Sequence, residues 1–194
     1  ILHMANGRKI VIELLPESAP NTVNSFIYTA SRGYLDHHAI ERIVPGNWVD
    51  VSYTAFGKKE CRYLIPNEFE LNPDVEPLDS HPGSVCMGGY GEAGLAGCEF
   101  FFPLRDCPDH KGIYPVFGRV LEGMDEVYRL EKVETVPVTD FPIEGVEVNR
   151  PVRPEIIERV ELELYGAVYP EPVRVREPEL PECWKDEARS EERR

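Results

Sequence analysis

Hydrophobic positions along the chain shift between a period of two and a period of three to four. Ile1-Leu2-His3-Met4 and Ile10-Val11-Ile12-Glu13-Leu14-Leu15 flank Asn6-Gly7, the preferred pair for a tight type I′ turn, so the chain is expected to open as a β-hairpin. Pro20 suits a first helical turn, and Val23, Phe26, Ile27 and Ala30 follow at helical spacing before Gly33, which predicts one amphipathic helix. Short strands broken by glycine and proline come next. Residues 39–44 and 48–53 meet at Pro45-Gly46, and further strands are expected over 84–87, 98–102 and 115–121. A second helix is predicted over 124–132, with Met124, Val127 and Tyr128 on its buried face. The clearest alternation is late, where Val160, Leu162 and Leu164 interleave with Arg159, Glu161 and Glu163.

Many short strands and two helices define a mostly β fold: a closed antiparallel barrel capped by helices, which leaves no exposed sheet edge. From about Ala167 onward Pro170, Pro172, Pro178 and Pro181 mix with charges, and the chain ends in Glu191-Glu192-Arg193-Arg194. Residues 1–165 are therefore expected to form one domain and 166–194 a peripheral extension or disordered tail.

Composition narrows the function classes. A formal net charge of −14 over 194 residues opposes binding to a phosphate backbone, whose affinity depends on Lys and Arg. No apolar run is long enough to span a bilayer. The five cysteines, Cys61, Cys86, Cys98, Cys107 and Cys183, are odd in number and irregularly spaced, and the first residues lack a basic, then apolar, leader. A reducing, cytoplasmic setting and a monomer are expected.

Several motifs then occur in a telling order. They are the run from Ile12 to Phe26, Arg42-Ile43-Val44-Pro45-Gly46, and Tyr63-Leu64-Ile65-Pro66-Asn67-Glu68-Phe69. Gly83-Ser84-Val85-Cys86-Met87, Phe100-Phe101 and the run from Gly112 to Met124 follow. Together they resemble the cyclophilin-type prolyl isomerases, in a bacterial-like form, over roughly residues 1–165. The resemblance implies an eight-stranded antiparallel barrel with a helix over each end. It also implies rotation of X-Pro bonds in flexible or unfolded polypeptides, with no cofactor or metal and with Arg42 as catalytic residue.

The chemistry is consistent with such residues. Rotation about a peptide bond must break amide resonance, a barrier of about 18–20 kcal/mol. An apolar slot for the proline ring and a cation-borne donor favour the twisted state over the planar one. Arginine stays charged and presents a rigid fork of donors. Strand parity places Glu99 and Phe101 on one face and Phe100 and Phe102 on the other. Trp48, Asp50 and Ser52 likewise oppose Val49, Val51 and Tyr53.

By resemblance, the substrate-binding set is Phe101, Glu99, Asp50, Trp48, Asn47, Met87 and Tyr114. Here the sequence departs from the family pattern. Asn47 replaces an aromatic, and Trp48 either supplies the missing surface or blocks the slot. Asp50 and Glu99 replace two glutamines, so carboxylates would hold Arg42 or select a basic peptide. A substrate-binding asparagine corresponds to Met87 or Gly88, a histidine to Tyr114, and a tryptophan tied to cyclosporin binding has no match near Asp109-His110.

Other constellations are weaker. Cys98, Cys107 and His110 lack the spacing of a zinc site. Gly88, Gly89, Gly91, Gly94 and Gly97 lack the Lys-Ser/Thr and helix start of a phosphate cradle, and read as a groove-side loop. His37 and His38 read as surface turn residues. Two further functions remain open beside the isomerase: a catalytically weakened module that binds proline-containing peptides, and a β-barrel binder of small ligands.

Overall fold

The computed structural model describes residues 1–89, 95–176 and 180–184. Strands β1 (Leu2–Met4) and β2 (Lys9–Leu14) form the opening hairpin, whose turn places Gly7 at φ +86°, where glycine carries no steric penalty. Helix α1 (Pro20–Ser31) follows, with Val23, Phe26, Ile27 and Ala30 buried along one face and Gly33 at φ +66° just past its end. Then come β3 (His38–Ala39), β4 (Arg42–Val44), β5 (Trp48–Val51), the one-turn helix α2 (Tyr53–Phe56), β6 (Leu64–Ile65) and the short α3 (Glu68–Leu71). Next are β7 (Ser84–Gly89), β8 (Leu95–Pro103), β9 (Val116–Glu122), α4 (Met124–Glu131), β10 (Thr135–Pro137), β11 (Asn149–Pro151) and β12 (Ile156–Val160).

Among the described residues ten strands form one sheet in the order β3-β12-β1-β2-β9-β7-β8-β5-β4, with β6 also on β8, while β10 and β11 pair separately. The sheet is strongly curled. Its path starts at β3 and ends at β4, which are consecutive in the chain with only Ile40 and Glu41 between them. Among the described residues no ladder joins those two edges, so the fold is mostly β but differs from the expected closed eight-stranded barrel. Both edge strands are short, which limits unpaired backbone. The β4 edge is met from outside: Ile43 O accepts from Asn149 Nδ2 at 3.1 Å.

Register sorts the two faces. Residues directly opposed in antiparallel strands project to the same side. Val51, Phe100 and Met87 form one such row and Ile43, Val49 and Phe102 another, and all six lie in the interior core. Phe26 of α1 meets Phe100 edge-on at 5.5 Å and 85°. Each buried Phe of this kind contributes roughly 1.5–3 kcal/mol by removal of apolar surface from water.

Helix α1 has no acidic residue in its own first turn. Glu68 of α3 supplies the missing acceptor, taking bonds from Asn21 N at 3.2 Å, Thr22 N at 2.8 Å and Thr22 Oγ1 at 2.7 Å, with Asn72 Nδ2 at 2.6 Å. A carboxylate at a helix N-terminus satisfies orphan N–H groups and complements the helix dipole.

Three further expectations differ from what is found. In α4 the buried face is Val127 with Leu130, while Tyr128 is exposed, because Leu130 is three residues beyond Val127 on the core side. The alternating stretch 159–164 is strand only to Val160. Glu161 N still reaches Ile1 O at 2.9 Å, and Leu162 and Leu164 pack on the core without a ladder, since burial alone produces the same alternation. His38 is buried, with its ring 3.8 Å from that of Tyr53, whereas His37 lies at φ +59° on the surface. Residues 171–175 lie across α1 and β6 through pairings of Glu171, Val173, Arg174 and Val175. Glu191 to Arg194 and Pro178 lie outside the described residues.

Candidate active site

The second face of the sheet carries a continuous row. Arg42 opposes Asp50, Asp50 opposes Phe101, Phe101 opposes Cys86, and Cys86 opposes Val116, across β4, β5, β8, β7 and β9. Directly opposed pairs share a face, so these side chains stand in line on the outside of the curl. Along that row opens a pocket of about 150 Å³.

One part of the pocket is aromatic. Trp48 and Phe101 lie 6.1 Å apart, and His110 packs at 5.8 Å from Trp48, 5.6 Å from Phe101 and 4.8 Å from Tyr114. Phe101 and Tyr114 are 5.9 Å apart at 83°. Edge-to-face contacts of this kind hold rings in fixed mutual orientation. Cys86, Val116 and Leu15 support the cluster from below.

The other part is ionic. Arg42 Nη1 donates to Asp50 Oδ2 at 2.6 Å, and Arg42 Nε donates to Glu147 O at 2.7 Å. The guanidinium carbon is 5.5 Å from the centre of the Trp48 ring. Nη2 has no partner among the described residues. Asp50 is almost fully buried, and loss of solvation pushes its carboxyl above the ordinary range against the opposing pull of Arg42 and the Ser52 hydroxyl. Burial also pushes the Tyr114 hydroxyl up, with Arg42 drawing it down. It lowers His110, whose Nδ1 is buried without a partner among the described residues. Glu99 lines the pocket beside Gly88, where an added Cβ would stand 3.0 Å from Glu99 Cγ.

The pocket thus gathers Arg42, Phe101, Glu99, Asp50, Trp48 and Tyr114. It does not gather Met87 or Asn47. Met87 opposes Phe100 and therefore points into the core, leaving Gly88 at the pocket. Asn47 belongs to the β4–β5 turn, where its Oδ1 accepts from Arg105 Nε at 2.8 Å and its O accepts from Leu104 N at 2.8 Å. Trp48 occupies the aromatic slot as one of its walls.

Sequence reasoning missed His110, which a 3-10 turn over Pro108–His110 brings in, and Phe141 and Val146, from the chain between β10 and β11. Neither place has a hydrophobic period to reveal it. The weaker constellations disperse. Cys98 Sγ donates to Cys61 O at 3.0 Å, Cys107 Sγ to Arg105 O at 3.5 Å, and His110 lies in the pocket. Gly88 and Gly89 line the pocket, Gly97 packs against Tyr63, and Gly91 and Gly94 lie outside the described residues. Among the described residues no helix is long and apolar enough to cross a membrane.

The fold and site together define a curled antiparallel β protein with a cation beside an aromatic slot on its outer face. Residues 1–170 match the model of the family described as cyclophilin type peptidyl-prolyl cis-trans isomerase/CLD, and the chain belongs to that family. It is 30% identical over 151 residues to mouse (Mus musculus) peptidylprolyl isomerase domain and WD repeat-containing protein 1, covering 76% of this chain and 23% of that protein. The chain thus matches about a quarter of the length of that larger relative. It is also 30% identical over 154 residues to peptidyl-prolyl cis-trans isomerase-like 1 of Gibberella zeae, covering 78% and 91% of the two chains. Among solved structures, a cyclophilin type isomerase of Cryptosporidium parvum, crystallised in the presence of the dipeptide Ala-Pro, superimposes with a TM-score of 0.63 at 18% identity. That match covers 81% of this chain and 94% of the other.

Proposed function

We propose that this chain is a peptidyl-prolyl cis/trans isomerase acting on X-Pro bonds of polypeptides, with Arg42 as the catalytic donor and Trp48, Phe101, His110 and Tyr114 forming the slot for the proline ring. The observation that carries the reading is the position of the Arg42 guanidinium. It is anchored through Nε and Nη1 at the edge of the aromatic slot, with Nη2 left to donate.

Isomerisation makes and breaks no covalent bond. The slot strips water from the proline ring, and a guanidinium N–H directed at the prolyl nitrogen draws its lone pair out of conjugation with the carbonyl. The twisted amide gains from that bond and the planar amide does not, so the barrier falls. A ~10⁵-fold acceleration corresponds to about 7 kcal/mol of such preference. The Ala-Pro dipeptide named with the Cryptosporidium parvum structure supports a prolyl ligand for this chain. The link through Ile40 and Glu41 supports reading the curled sheet as a barrel closed by chain rather than by hydrogen bonds. Free thiols at all five cysteines support a reducing, cytoplasmic setting.

The short Arg42–Asp50 bond favours a second reading, a module that binds proline-containing peptides with little turnover. A protease-coupled assay on short X-Pro peptides, comparing the wild type with Arg42→Ala, separates the two. Loss of about 10²–10³-fold in kcat/KM is expected, the usual cost of removing one preorganised donor. Equal rates for the two proteins would overturn the catalytic role, and binding without turnover would establish the second reading.

A further inference from the structure

Residues 171–176 and 180–184 lie beyond the stretch that the family model matches. Both described stretches pack onto the domain, and together they are called the strap. Asn21 Nδ2 donates to Val173 O at 3.1 Å and Val173 N returns to Asn21 Oδ1 at 2.8 Å. Val175 N donates to Leu64 O at 2.9 Å, and the Arg174 guanidinium lies 4.5 Å from the Tyr28 ring centre and 4.1 Å from that of Tyr63. At its far end Trp184, only 6% exposed, packs on Phe141 with ring centres 6.0 Å apart, and Arg62 Nη1 donates to Trp184 O.

Phe141 matters because it faces the pocket. With Ala55 and Val146 it forms an apolar stretch of the lining, and its other ring neighbour among the described residues is Phe56 at 6.0 Å. Its ring contacts are thus separate from the Trp48 and Phe101 cluster, and Trp184 is the buried surface behind it.

We propose that Trp184 is a positioning residue of the groove, delivered by the strap, which fixes Phe141 and so sets affinity for peptides that carry an apolar side chain next to the X-Pro unit. This rests on the reading of the groove as a peptide site. An apolar wall of Phe141, Ala55 and Val146 gains from covering another apolar side chain and gains nothing from a polar one. The wall touches no reacting atom, so its effect falls on binding.

The test uses the full chain with two X-Pro peptides, one flanked by leucine and one by serine. Trp184→Ala is expected to raise KM for the leucine peptide about three- to tenfold, the range of an aromatic pair contact, with kcat within about twofold and the serine peptide unchanged. Trp184→Phe should restore the wild-type KM. Equal shifts for both peptides, or none, would overturn the proposal. If Trp184→Ala does not fold, Arg174→Ala loosens the strap at its other end and should give a smaller shift of the same kind. Its failure to do so would count equally against the proposal. If the wild type has no turnover, the isomerase reading fails on its own. The wall is then read from the methyl resonances of Ala55 and Val146, which must move in Trp184→Ala and stay near wild type in Trp184→Phe, and unmoved methyls would overturn it.

Discussion

Arg42 and Asp50 face each other directly across the β4–β5 ladder, and Arg42 Nη1 donates to Asp50 Oδ2 at 2.6 Å. The bond is short and charge-assisted: it fixes the guanidinium through Nη1, while the carboxylate draws on the positive charge that Nη2 would offer a substrate. It therefore holds the guanidinium in place and competes with the substrate for it.

Neutralising Asp50 should release that competition. Asp50→Asn is expected to raise kcat roughly threefold to tenfold, while Arg42 stays anchored through Nε on Glu147 O. The pH dependence has a definite sign. Burial raises the Asp50 pKa, so its proton persists to higher pH than on an ordinary carboxylate, and the ionised form that ties Arg42 appears only above it. The kcat of the wild type should fall as pH rises through that pKa, and Asp50→Asn should be flat. A variant as slow and as pH-dependent as the wild type would exclude the competition.

His110 should govern the opposite limb. Desolvation lowers its pKa below the ordinary 6.5, so the imidazole among Trp48, Phe101 and Tyr114 gains its proton at lower pH than an ordinary histidine does. Asp109 and Arg105 are the charges acting on it from its own side, and Arg42, Asp50 and Glu99 line the same pocket. An imidazolium in the slot excludes the proline ring, so KM should rise about tenfold per pH unit below that pKa, and kcat/KM should be bell-shaped. His110→Leu removes the acid limb and leaves the alkaline one. Titration of KM and kcat separately checks this, and an unchanged acid limb in the variant would assign it elsewhere.

How much of this was legible depended on whether one segment sufficed. Phe101 and Glu99 could be separated from Phe100 and Phe102 because parity is a property of one strand, and α1 was readable because Val23, Phe26, Ile27 and Ala30 are close in sequence. Met87 could not be placed without knowing that it opposes Phe100 on another strand, a pairing no local pattern encodes. His110, Phe141 and Val146 reach the pocket from a 3-10 turn and irregular chain, which have no period. The ends of the sheet depend on long-range pairing of two- and three-residue strands, so motif order could suggest a barrel without showing how its edges meet.

Glu68 links local and long-range structure, and its removal should be costly. Glu68→Ala leaves the buried N–H groups of Asn21 and Thr22 and the Thr22 hydroxyl without their acceptor. At about 1–3 kcal/mol for each unsatisfied buried group, less what relaxation and water recover, a loss of about 3–5 kcal/mol is expected. Because Asn21 also holds Val173, the strap should loosen with it. Glu68→Gln keeps one carbonyl acceptor and should lose about half as much. Urea midpoints at constant m-value measure both, and a Glu68→Ala midpoint within error of the wild type would remove Glu68 as the anchor of α1.

His38 sets an acid limit on stability distinct from the active-site titrations. Its ring is buried against Tyr53 at 3.8 Å, and desolvation, with a smaller push from Lys58, lowers its pKa from 6.5 to about 4. The unfolded chain therefore takes up this proton at higher pH than the folded one. Stability from this group is complete above 6.5, falls as pH drops toward about 4, and stops changing below that, where both states are protonated. Each tenfold difference in proton affinity between the two states is worth ~1.4 kcal/mol, so the loss is about 3 kcal/mol. His38→Phe keeps an aromatic ring against Tyr53 and removes the titration. Other acid-titrating groups, His110 and the carboxylates, are present in both proteins and cancel in the comparison. Between pH 7 and 4 the unfolding free energy of the wild type should thus fall by about 3 kcal/mol more than that of the variant. Parallel curves for the two proteins would mean that His38 is protonated in the folded state as readily as in the unfolded one, and its burial against Tyr53 would then carry no electrostatic cost.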